Sequence, residues 1–411
     1  MPIQDNAASS GDLLNECTID FAEDIDDEVE ANLTPLQISQ AVLYASDWTT
    51  ETIISQLKRG NININPTFQR RDAWPQARKS RFIESLVLGL PIPQIVLAEK
   101  EKGKYLVLDG KQRLNTLLQF AGLQEGKFNK FKLKNLDVRF DLNNKNFDDF
   151  ENDPSLQADL DQFNNHTIRS VVIRNWPNID FLHLVFVRLN TESVKLSPQE
   201  LRQALFPGDF MEYVDEASCK SPALKTLLRI KQPDFRMRDM ELLIRFLSYQ
   251  LFLGKYSGNL KKFLDEACER INNDWESFKP SVEAEIRRFE QAITIAEEVF
   301  GRRNIAHKFT EQGYENRLNR ALLDVIAFYF SDEKMGELVL EKKEEVRKAY
   351  ELLCISNEDF RESIERTTKS LGALSTRLNL MGRALMGTLG ADFNIPQLSD
   401  NRIQFNGFWR N

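Results

Sequence analysis

The pentapeptide Asp109–Arg113 (DGKQR) has the residue types and spacing of a phosphate-binding turn. It follows the apolar run Tyr105–Leu108, which predicts a strand, and it precedes LNTLLQF, whose leucines recur at helical spacing. Gly110 allows a tight turn and a close approach by a ligand. The first turn of the following helix offers free N–H groups and the positive end of the helix dipole. The segment therefore predicts a phosphate site. Asp109 could there hold a metal that bridges the phosphates, or position a water for attack.

A plainer interpretation of this pentapeptide stays open. Asp-Gly turns commonly join a strand to a helix, and Asp109 could cap the helix N-terminus. Lys111 and Arg113 could then be ordinary solvated side chains. The pentapeptide alone does not decide between these two interpretations.

A second cluster, Phe68–Pro75 (FQRRDAWP), places two arginines and a tryptophan in one loop. Arg70 and Arg71 could contact phosphate, and Trp74 could stack on a base. In the alternative, Trp74 packs in the core and an arginine pairs with Asp72 at the surface.

A third cluster combines FVRLNT (186–191) with LSPQELR (196–202). Arg188, Asn190, Glu200 and Arg202 could converge on the cleft formed by the first two clusters. Ser197 and Glu200 have the spacing of a capping box that begins a helix. In the alternative, the cluster is a capped helix pair with a Glu200–Arg202 charge pair at the surface.

The elements that position these clusters can be predicted from hydrophobic spacing and turn residues. We expect helices over 50–60, 76–88 and 111–121, and strands over 61–65, 94–99, 105–108 and 166–174. Residues 127–145 predict a further β-hairpin, and residues 146–164 predict a polar loop. Helical patterns then dominate, over 236–253, 259–300, 316–330, 334–353 and 371–388.

The domain organisation follows from these patterns. We expect an acidic and disordered tail over 1–35, a small α+β domain over 36–210 that carries all three clusters, and an α-helical domain over 211–411. The fold class is therefore α+β.

Charge is distributed unevenly along the 411 residues. The net charge is −8, yet residues 1–57 contain no Lys or Arg and carry twelve Asp or Glu. The extreme part is Asp12–Glu30 (DLLNECTIDFAEDIDDEVE). It is typical of a solvated disordered tail. Alternatively, it is an acidic arm that covers a basic groove on the body, or docks on a partner, by charge complementarity.

Composition disfavours several other classes of protein. The four cysteines lack CxxC spacing, and no two of His166, His183 and His307 have helical ligand spacing. This argues against a disulfide scaffold and against a zinc site built from cysteine or histidine. No apolar run approaches about 18 residues, and the N-terminus lacks the pattern of a signal peptide. We therefore expect no membrane association and a cytoplasmic location.

Taken in order, the motifs resemble one family. FQRRDAW, ESLVLGLPIPQIVL, VLDGKQRLNTLLQF and FVRLNTESVKLSPQELRQALF together are similar to GmrS-type proteins, over roughly residues 50–210. These proteins have a ParB/sulfiredoxin-like fold and occur in modification-dependent (type IV) restriction and related anti-phage systems. Their motif Asp-Gly-Gln-Gln-Arg is tied to NTP binding and hydrolysis. Here Lys111 replaces the first glutamine, and Glu192 stands where a glycine usually follows Asn-Thr.

The resemblance implies an NTP-binding and NTP-hydrolysing sensor or regulatory subunit. Asp109 and Arg113 are then the catalytic residues, and Asp109 is also the metal ligand. The remaining binding residues implied by the motifs are Gly110, Lys111, Gln112, Asn115, Thr116, Arg70, Arg71, Trp74, Asn190, Glu200 and Arg202. The implied cofactors are an NTP, ATP or GTP, with Mg²⁺.

The implied partners are a nuclease or other effector acting in trans and DNA, including modified phage DNA, and a homo-oligomer stays open. The His–Asn nuclease pattern of many relatives is not found around His307, so we do not expect the chain itself to cut DNA. Two alternatives remain. One is a ParB-like DNA-binding module without NTPase activity. The other is a non-enzymatic scaffold whose acidic tail mimics DNA.

Overall fold

The computed structural model describes residues 18–19, 34–64, 74–123, 131–189 and 197–409. The chain divides into two compact units. The sheet unit comprises residues 23–216 and 234–240, and the helical unit comprises residues 1–22, 217–233 and 241–411. The predicted α+β class is confirmed. No described helix has the length and apolarity needed to cross a membrane.

The strands in the described part of the chain are β1 (Thr18–Ile19), β2 (Val42–Thr49), β3 (Ile62–Asn63), β4 (Ile95–Glu101), β5 (Lys104–Asp109), β6 (Thr167–Arg174), β7 (His307–Thr310), β8 (Gly313–Leu318), β9 (Gln397–Ser399) and β10 (Arg402–Gln404). The α-helices of the sheet unit, up to the boundary near 216, are α1 (Pro35–Gln40), α2 (Thr50–Lys58), α3 (Gln76–Val87), α4 (Lys111–Phe120), α5 (Phe147–Asn152), α6 (Gln157–Asn165), α7 (Ile179–Leu189), α8 (Pro198–Leu205) and α9 (Asp209–Lys220). The later helices are α10 (Pro222–Leu228), α11 (Arg238–Phe252), α12 (Leu260–Asn273), α13 (Trp275–Phe300), α14 (Arg320–Phe330), α15 (Glu333–Glu341), α16 (Lys343–Ser356), α17 (Glu358–Glu365) and α18 (Leu371–Leu389).

The sheet unit is built on a mixed five-stranded sheet with the order β2-β6-β4-β5-β3. The β2/β6 and β4/β5 pairs are antiparallel, whereas the β4/β6 and β3/β5 pairs are parallel. A glycine-containing turn after Glu101 joins β4 to β5 in a hairpin. It places the end of β5 in the interior of the sheet, between β4 and β3.

Helices cover both faces of this sheet. They are needed on both because successive side chains of β4 point to opposite faces and all of those in its first four positions are apolar. Ile95 and Leu97 point into a core that also contains apolar residues of α2, α3, α4 and α6. Val96 and Ala98 point into a second core on the opposite face, formed with α7 and α8. The strand therefore carries apolar residues on both sides, and helices from distant parts of the sequence lie on each face.

The hairpin predicted over 127–145 is wrong where the structure describes it. Residues 131–139 form an irregular loop, and Phe140–Leu142 form a 3₁₀ turn. The backbone N–H groups of Asp137, Val138 and Arg139 donate to the buried carboxylate of Glu84, at 3.1, 2.8 and 2.7 Å. Because a side chain of α3 accepts these hydrogen bonds, the segment has no need of a partner strand.

We expect Glu84→Gln to destabilise the protein by about 2 kcal/mol at neutral pH, because one oxygen acceptor is replaced by a donor facing backbone N–H groups. Burial alone raises the Glu84 pKa, but the three N–H donors and the charge of Arg139 outweigh it, so the pKa is lowered. A lowered pKa stabilises the fold above the ordinary value of 4.5, and this contribution is lost as pH falls through the folded value.

Chemical denaturation at a series of pH values tests this expectation. The stability difference between wild type and Glu84→Gln should narrow below pH 4.5. Glu151→Gln, at an exposed position of α5, is the control and should match wild type. A difference that stays constant down to acid pH would contradict the proposed role of the Glu84 charge.

Two further local predictions are wrong. Residues 146–164 contain helices α5 and α6 rather than a loop, and a capping box of Asn146 and Asp149 begins α5. The helical pattern predicted over 316–330 contains the end of strand β8 and helix α14, which is capped by Asn319. In both places side-chain caps begin helices that the apolar spacing alone did not predict correctly.

The helical unit is organised around buried charged groups. Asp324 of α14 accepts from Arg245 of α11 at 2.5 and 3.1 Å, and lies 3.8 Å from Arg377 of α18. Arg377 is 1% exposed and also donates to the carbonyls of Ser363 and Thr368. These contacts join three helices, because each arginine needs acceptors that only neighbouring elements supply.

Candidate functional site

The turn between β5 and α4 depends on glycine at position 110. Gly110 is the N-cap residue of α4, with a φ of +93°. A Cβ added there would lie 2.9 Å from Cγ1 of Ile95 and 3.2 Å from Nη2 of Arg113. A larger residue would therefore be strained in its backbone and crowded by β4. The turn has the geometry expected from the sequence, but the N-cap residue of α4 is Gly110, and the Asp109 carboxylate accepts from Arg113 instead.

Asp109 and Arg113 form an ion pair across this turn. Nη2 of Arg113 lies 3.0 Å from Oδ2 of Asp109, and it also donates to the carbonyl of Gln94 at 2.9 Å. The Asp109 side chain is 35% exposed and that of Arg113 is 13% exposed. The carboxylate therefore stays accessible to solvent, while the guanidinium is held between two oxygen acceptors.

The next residues of α4 bury polar atoms. Asn115 and Thr116 are 2% and 1% exposed. The Thr116 hydroxyl donates to the carbonyl of Gln112 at 2.7 Å. By contrast, Oδ1 of Asn115 and Oε1 of Gln112 are buried acceptors without a hydrogen-bond partner among the described residues. Because unsatisfied buried acceptors are rare in folded proteins, these two atoms are candidates for contact with a ligand or a bound water.

Helix α8 lies close to the end of β5. Leu201 and Leu205 pack in the same core as Leu106 and Leu108 of β5. The predicted capping box is present, since the Ser197 hydroxyl accepts from the Glu200 N–H at 3.1 Å and the Glu200 carboxylate accepts from the Ser197 N–H at 2.7 Å. The described part of the third cluster, residues 197–202, therefore lies on a helix that packs against β5.

Lys111 and Glu200 interact electrostatically within the sheet unit. Burial lowers the pKa of Lys111 to about 7, although the charges of Glu200 and Asp215 oppose this shift. Burial raises the pKa of Glu200 to about 7, and the charge of Lys111 opposes that shift. Lys111 is half-buried in the first turn of α4 and Glu200 is buried in α8, and each charge acts on the pKa of the other.

Arg202 and Gln199 form a second buried contact in α8. Arg202 is 3% exposed and Gln199 is 0% exposed, and Nη1 of Arg202 donates to Oε1 of Gln199 at 2.7 Å. Nε2 of Gln199 is buried without a hydrogen-bond partner among the described residues. Glu200 and Arg202 are thus both buried, so the alternative of a surface charge pair is wrong.

The comparison with protein families agrees with this architecture. Residues 50–207 match the family model described as GmrSD restriction endonuclease, N-terminal domain. The segment is similar to that domain, and we use the name GmrSD N-terminal domain for residues 50–207. The match supports a restriction or defence protein of the GmrSD type. No curated protein and no solved structure matches the chain.

The GmrSD N-terminal domain begins at α2 and ends just after α8, so it contains the β5–α4 turn and the third cluster. Trp74 also lies within it. Its ring packs edge-on against Phe82, with a centroid distance of 5.8 Å, and the guanidinium of Arg78 lies 4.5 Å from the ring centroid. Trp74 therefore packs at the margin of the core and is half-buried.

Three predicted binding residues of the GmrSD N-terminal domain, Arg70, Arg71 and Asn190, lie outside the described residues. The structure also adds residues that the sequence interpretation missed. Ile95 covers Gly110, and the Gln94 carbonyl holds Arg113. Gln199 was also missed, although Gln199 and Arg202 recur at helical spacing and this pattern could have indicated a buried polar face.

Proposed function

We propose that the GmrSD N-terminal domain binds a nucleoside triphosphate at the first turn of α4 and hydrolyses it. The observation that carries this proposal is the turn at Gly110. There the backbone N–H groups of a helix start meet an accessible carboxylate and a fixed guanidinium. Such N–H groups have no acceptor within the helix and favour anions. ATP and GTP are the nucleotides that we favour.

Asp109 and Arg113 would have different roles at this site. The Arg113 guanidinium, already positioned by Gln94, would balance charge on the phosphates. Asp109 would orient the attacking water or contribute one ligand to Mg²⁺. Within the described residues no three His, Cys, Asp or Glu side chains form a metal-binding group. One carboxylate nevertheless fits Mg²⁺, which commonly takes its remaining ligands from phosphates and water. When bound, Mg²⁺ would supply charge for the phosphates.

Gln112 and Asn115 would supply polar contacts beside the phosphates. Their buried oxygens lack partners among the described residues and could accept from a ligand or a water. Lys111 and Glu200 would sense occupancy of the site, since they lie on α4 and α8 and each charge acts on the pKa of the other. Arg70, Arg71, Trp74, Asn190 and Arg202 remain proposed binding residues on the strength of the family resemblance.

A thermal-shift panel with ATP, GTP, CTP and UTP, each with Mg²⁺, tests nucleotide binding. A nucleotide at about 100 times its Kd should stabilise the folded state by about 2.7 kcal/mol and raise the Tm by several degrees. Mg²⁺ alone and inorganic tripolyphosphate are the controls. If none of the four nucleotides raises the Tm, the proposal of nucleotide binding is wrong.

We further propose that the chain is a regulatory or sensor subunit of an anti-phage or modified-DNA restriction system. A nuclease or other effector would act in trans, and modified phage DNA would be a ligand of the complex. The burial of His307 supports a nuclease that acts in trans. His307 is 2% exposed, its Nδ1 lies 2.6 Å from the Glu315 carbonyl, and burial lowers its pKa. A buried histidine with this contact is poorly placed to act as a nuclease base.

The alternative functions differ in their response to salt and nucleotide. A DNA-binding module without NTPase activity should bind duplex DNA with a steep salt dependence and should ignore NTPs. A scaffold that mimics DNA should inhibit a nuclease through its acidic segment. A cytoplasmic location and homo-oligomerisation remain predictions, to be tested by fractionation and by light scattering.

A further inference from the structure

Exposed apolar side chains are concentrated in residues 36–44 of the sheet unit. Five of the twelve large apolar side chains that are exposed in the described part of the chain lie within this short stretch, with exposed fractions of 41% to 73%. Single apolar residues at a surface are ordinary, whereas a contiguous group marks an interaction site. The five are Leu36 and Ile38 of α1 and Val42, Leu43 and Tyr44 of β2.

β2 is also an edge strand that lacks the usual protection against pairing with another chain. It pairs with β6 along all eight of its residues and with no other strand in the described part of the chain. Edge strands of monomeric proteins are commonly short, or carry lysine, proline or a bulge. β2 has none of these features, and its one charged residue, Asp47, lies near its C-terminal end. Its outer edge therefore has the properties of a pairing site.

Tyr44 is held in position at this edge. The guanidinium of Arg174 in β6 lies 4.9 Å from the centroid of the Tyr44 ring, and Nε of Arg174 lies 2.8 Å from Oε2 of Glu99 in β4. The ring is thus ordered while the residue is still 52% exposed. An aromatic side chain that is ordered before association loses little conformational freedom in an interface, and tyrosine is enriched at such positions.

The chemistry of this surface favours a second copy of the chain as its partner. Residues 34–46 contain no Asp, Glu, Lys or Arg, so nothing in this stretch would attract a charged ligand, and two copies bring no like charges together. The opposite edge of the sheet, β3, comprises only Ile62–Asn63 in the described structure and is too short to receive β2. Head-to-tail pairing of β2 with β3 is therefore disfavoured, and a closed two-fold pair of β2 strands is favoured.

The area of the surface is sufficient for a reversible dimer. The exposed fractions of the five apolar side chains correspond to roughly 500 Å² in each protomer. Two copies that meet through this surface would bury about 1,000 Å², and the backbone of the paired strands would add to that area. This is the lower end of the range for specific interfaces, so we expect a dimer that dissociates on dilution.

We propose that β2 is the interface of a two-fold homodimer, in which the two copies of β2 pair in antiparallel fashion and join the two sheets. The pairing is centred on Leu43, which lies opposite Leu43 of the second copy. Val42 then lies opposite Tyr44, a pairing of β-branched and aromatic side chains that stabilises sheets. Asp47 lies beyond the paired residues. This inference does not depend on nucleotide binding at α4.

Sedimentation velocity of the full chain without nucleotide tests the dimer. Wild type should change from monomer towards dimer as its concentration rises from about 1 µM to about 100 µM. Leu43→Lys places like charges opposite each other and should raise the Kd of the dimer at least about tenfold. Leu352→Lys makes the same change in α16, where the leucine is 63% exposed compared with 68% for Leu43, and should dimerise like wild type. A wild type that is monomeric throughout, or equal Kd values for the two variants, would overturn the proposal.

A charge exchange tests the register. Leu43→Lys and Leu43→Glu should each dimerise poorly, whereas an equimolar mixture should associate at least about tenfold more tightly, because opposite charges then face each other across the two-fold axis. Circular dichroism should show both variants folded, since the Leu43 side chain is mostly exposed. A mixture that associates no more tightly than either variant alone would show that Leu43 does not pair with its own copy, contrary to the proposal.

Hydrogen–deuterium exchange of wild type locates the interface without any substitution. Amides on the outer edge of residues 42–45 should exchange at least about threefold more slowly at about 100 µM than at about 1 µM, whereas those of β7 should not change. Raising the salt from about 50 mM to about 500 mM should leave the Kd within about twofold, because the surface carries no charge. Unchanged exchange in β2, or a dimer that dissociates in salt, would assign dimerisation to another surface and overturn the proposal.

Discussion

Replacing Asp109 with alanine is expected to slow NTP hydrolysis by about 100-fold or more, the usual effect of removing a group that acts on the reacting atoms. Asp109 is the accessible carboxylate at the end of β5, beside the N–H groups of α4. Without Asp109, β5 offers no carboxylate at its end to orient the attacking water or to bind a metal. Phosphate release at saturating nucleotide with Mg²⁺ measures the effect. Binding should persist, because the backbone donors remain.

The control for this variant is Glu101→Ala, which removes an exposed carboxylate from the same β4–β5 hairpin. It should hydrolyse NTP like wild type. Circular dichroism should show both variants folded, since Arg113 still donates to the Gln94 carbonyl when Asp109 is absent. Undiminished hydrolysis in Asp109→Ala would show that this carboxylate has no part in the chemistry.

Replacing Gly110 with alanine is expected to abolish the nucleotide-induced thermal shift and to destabilise the protein by about 2 kcal/mol. The backbone at this position has a φ of +93°, and the new Cβ would lie 2.9 Å from Ile95. Either β4 moves or the first turn of α4 rotates, and both displace the N–H groups. Thermal-shift titration and chemical denaturation measure the two effects.

Gly103→Ala separates backbone strain from crowding. Gly103 has a φ of +77° in the turn of the same hairpin, and an added Cβ would meet nothing within 4 Å. This control should lose about 1 kcal/mol from strain yet retain the full nucleotide-induced shift. If Gly110→Ala binds nucleotide as tightly as Gly103→Ala, the geometry of the β5–α4 turn is not what binds the phosphates.

The parts of the fold that the sequence predicted are those determined by neighbouring residues. The β5–α4 turn follows from an apolar strand, a glycine and leucines at helical spacing, all within a short segment. The Ser197–Glu200 capping box was also predictable, because its two hydrogen bonds form within one helical turn. Short-range sterics and hydrogen bonding are sufficient in both places.

The parts that could not be predicted depend on partners distant in the sequence. The segment 127–145 was predicted to be a hairpin, but the described part of its backbone donates to Glu84, and nothing local indicates that acceptor. The electrostatic interaction between Lys111 and Glu200 depends on how α8 packs against β5. The spacing of residues within one segment carries no information on contacts with distant segments. The sequence therefore suggested that the three clusters come together, but it did not indicate which residues interact.

The electrostatic interaction between Lys111 and Glu200 determines how many protons the two groups carry. Burial holds the pKa of each group near neutrality, and contact with water would return both towards their ordinary ionisation. If α4 and α8 separated above pH 7, Lys111 would take up a proton from the buffer; below pH 7, Glu200 would release one. Opening of this site would therefore be accompanied by a heat of buffer ionisation whose sign reverses across neutral pH.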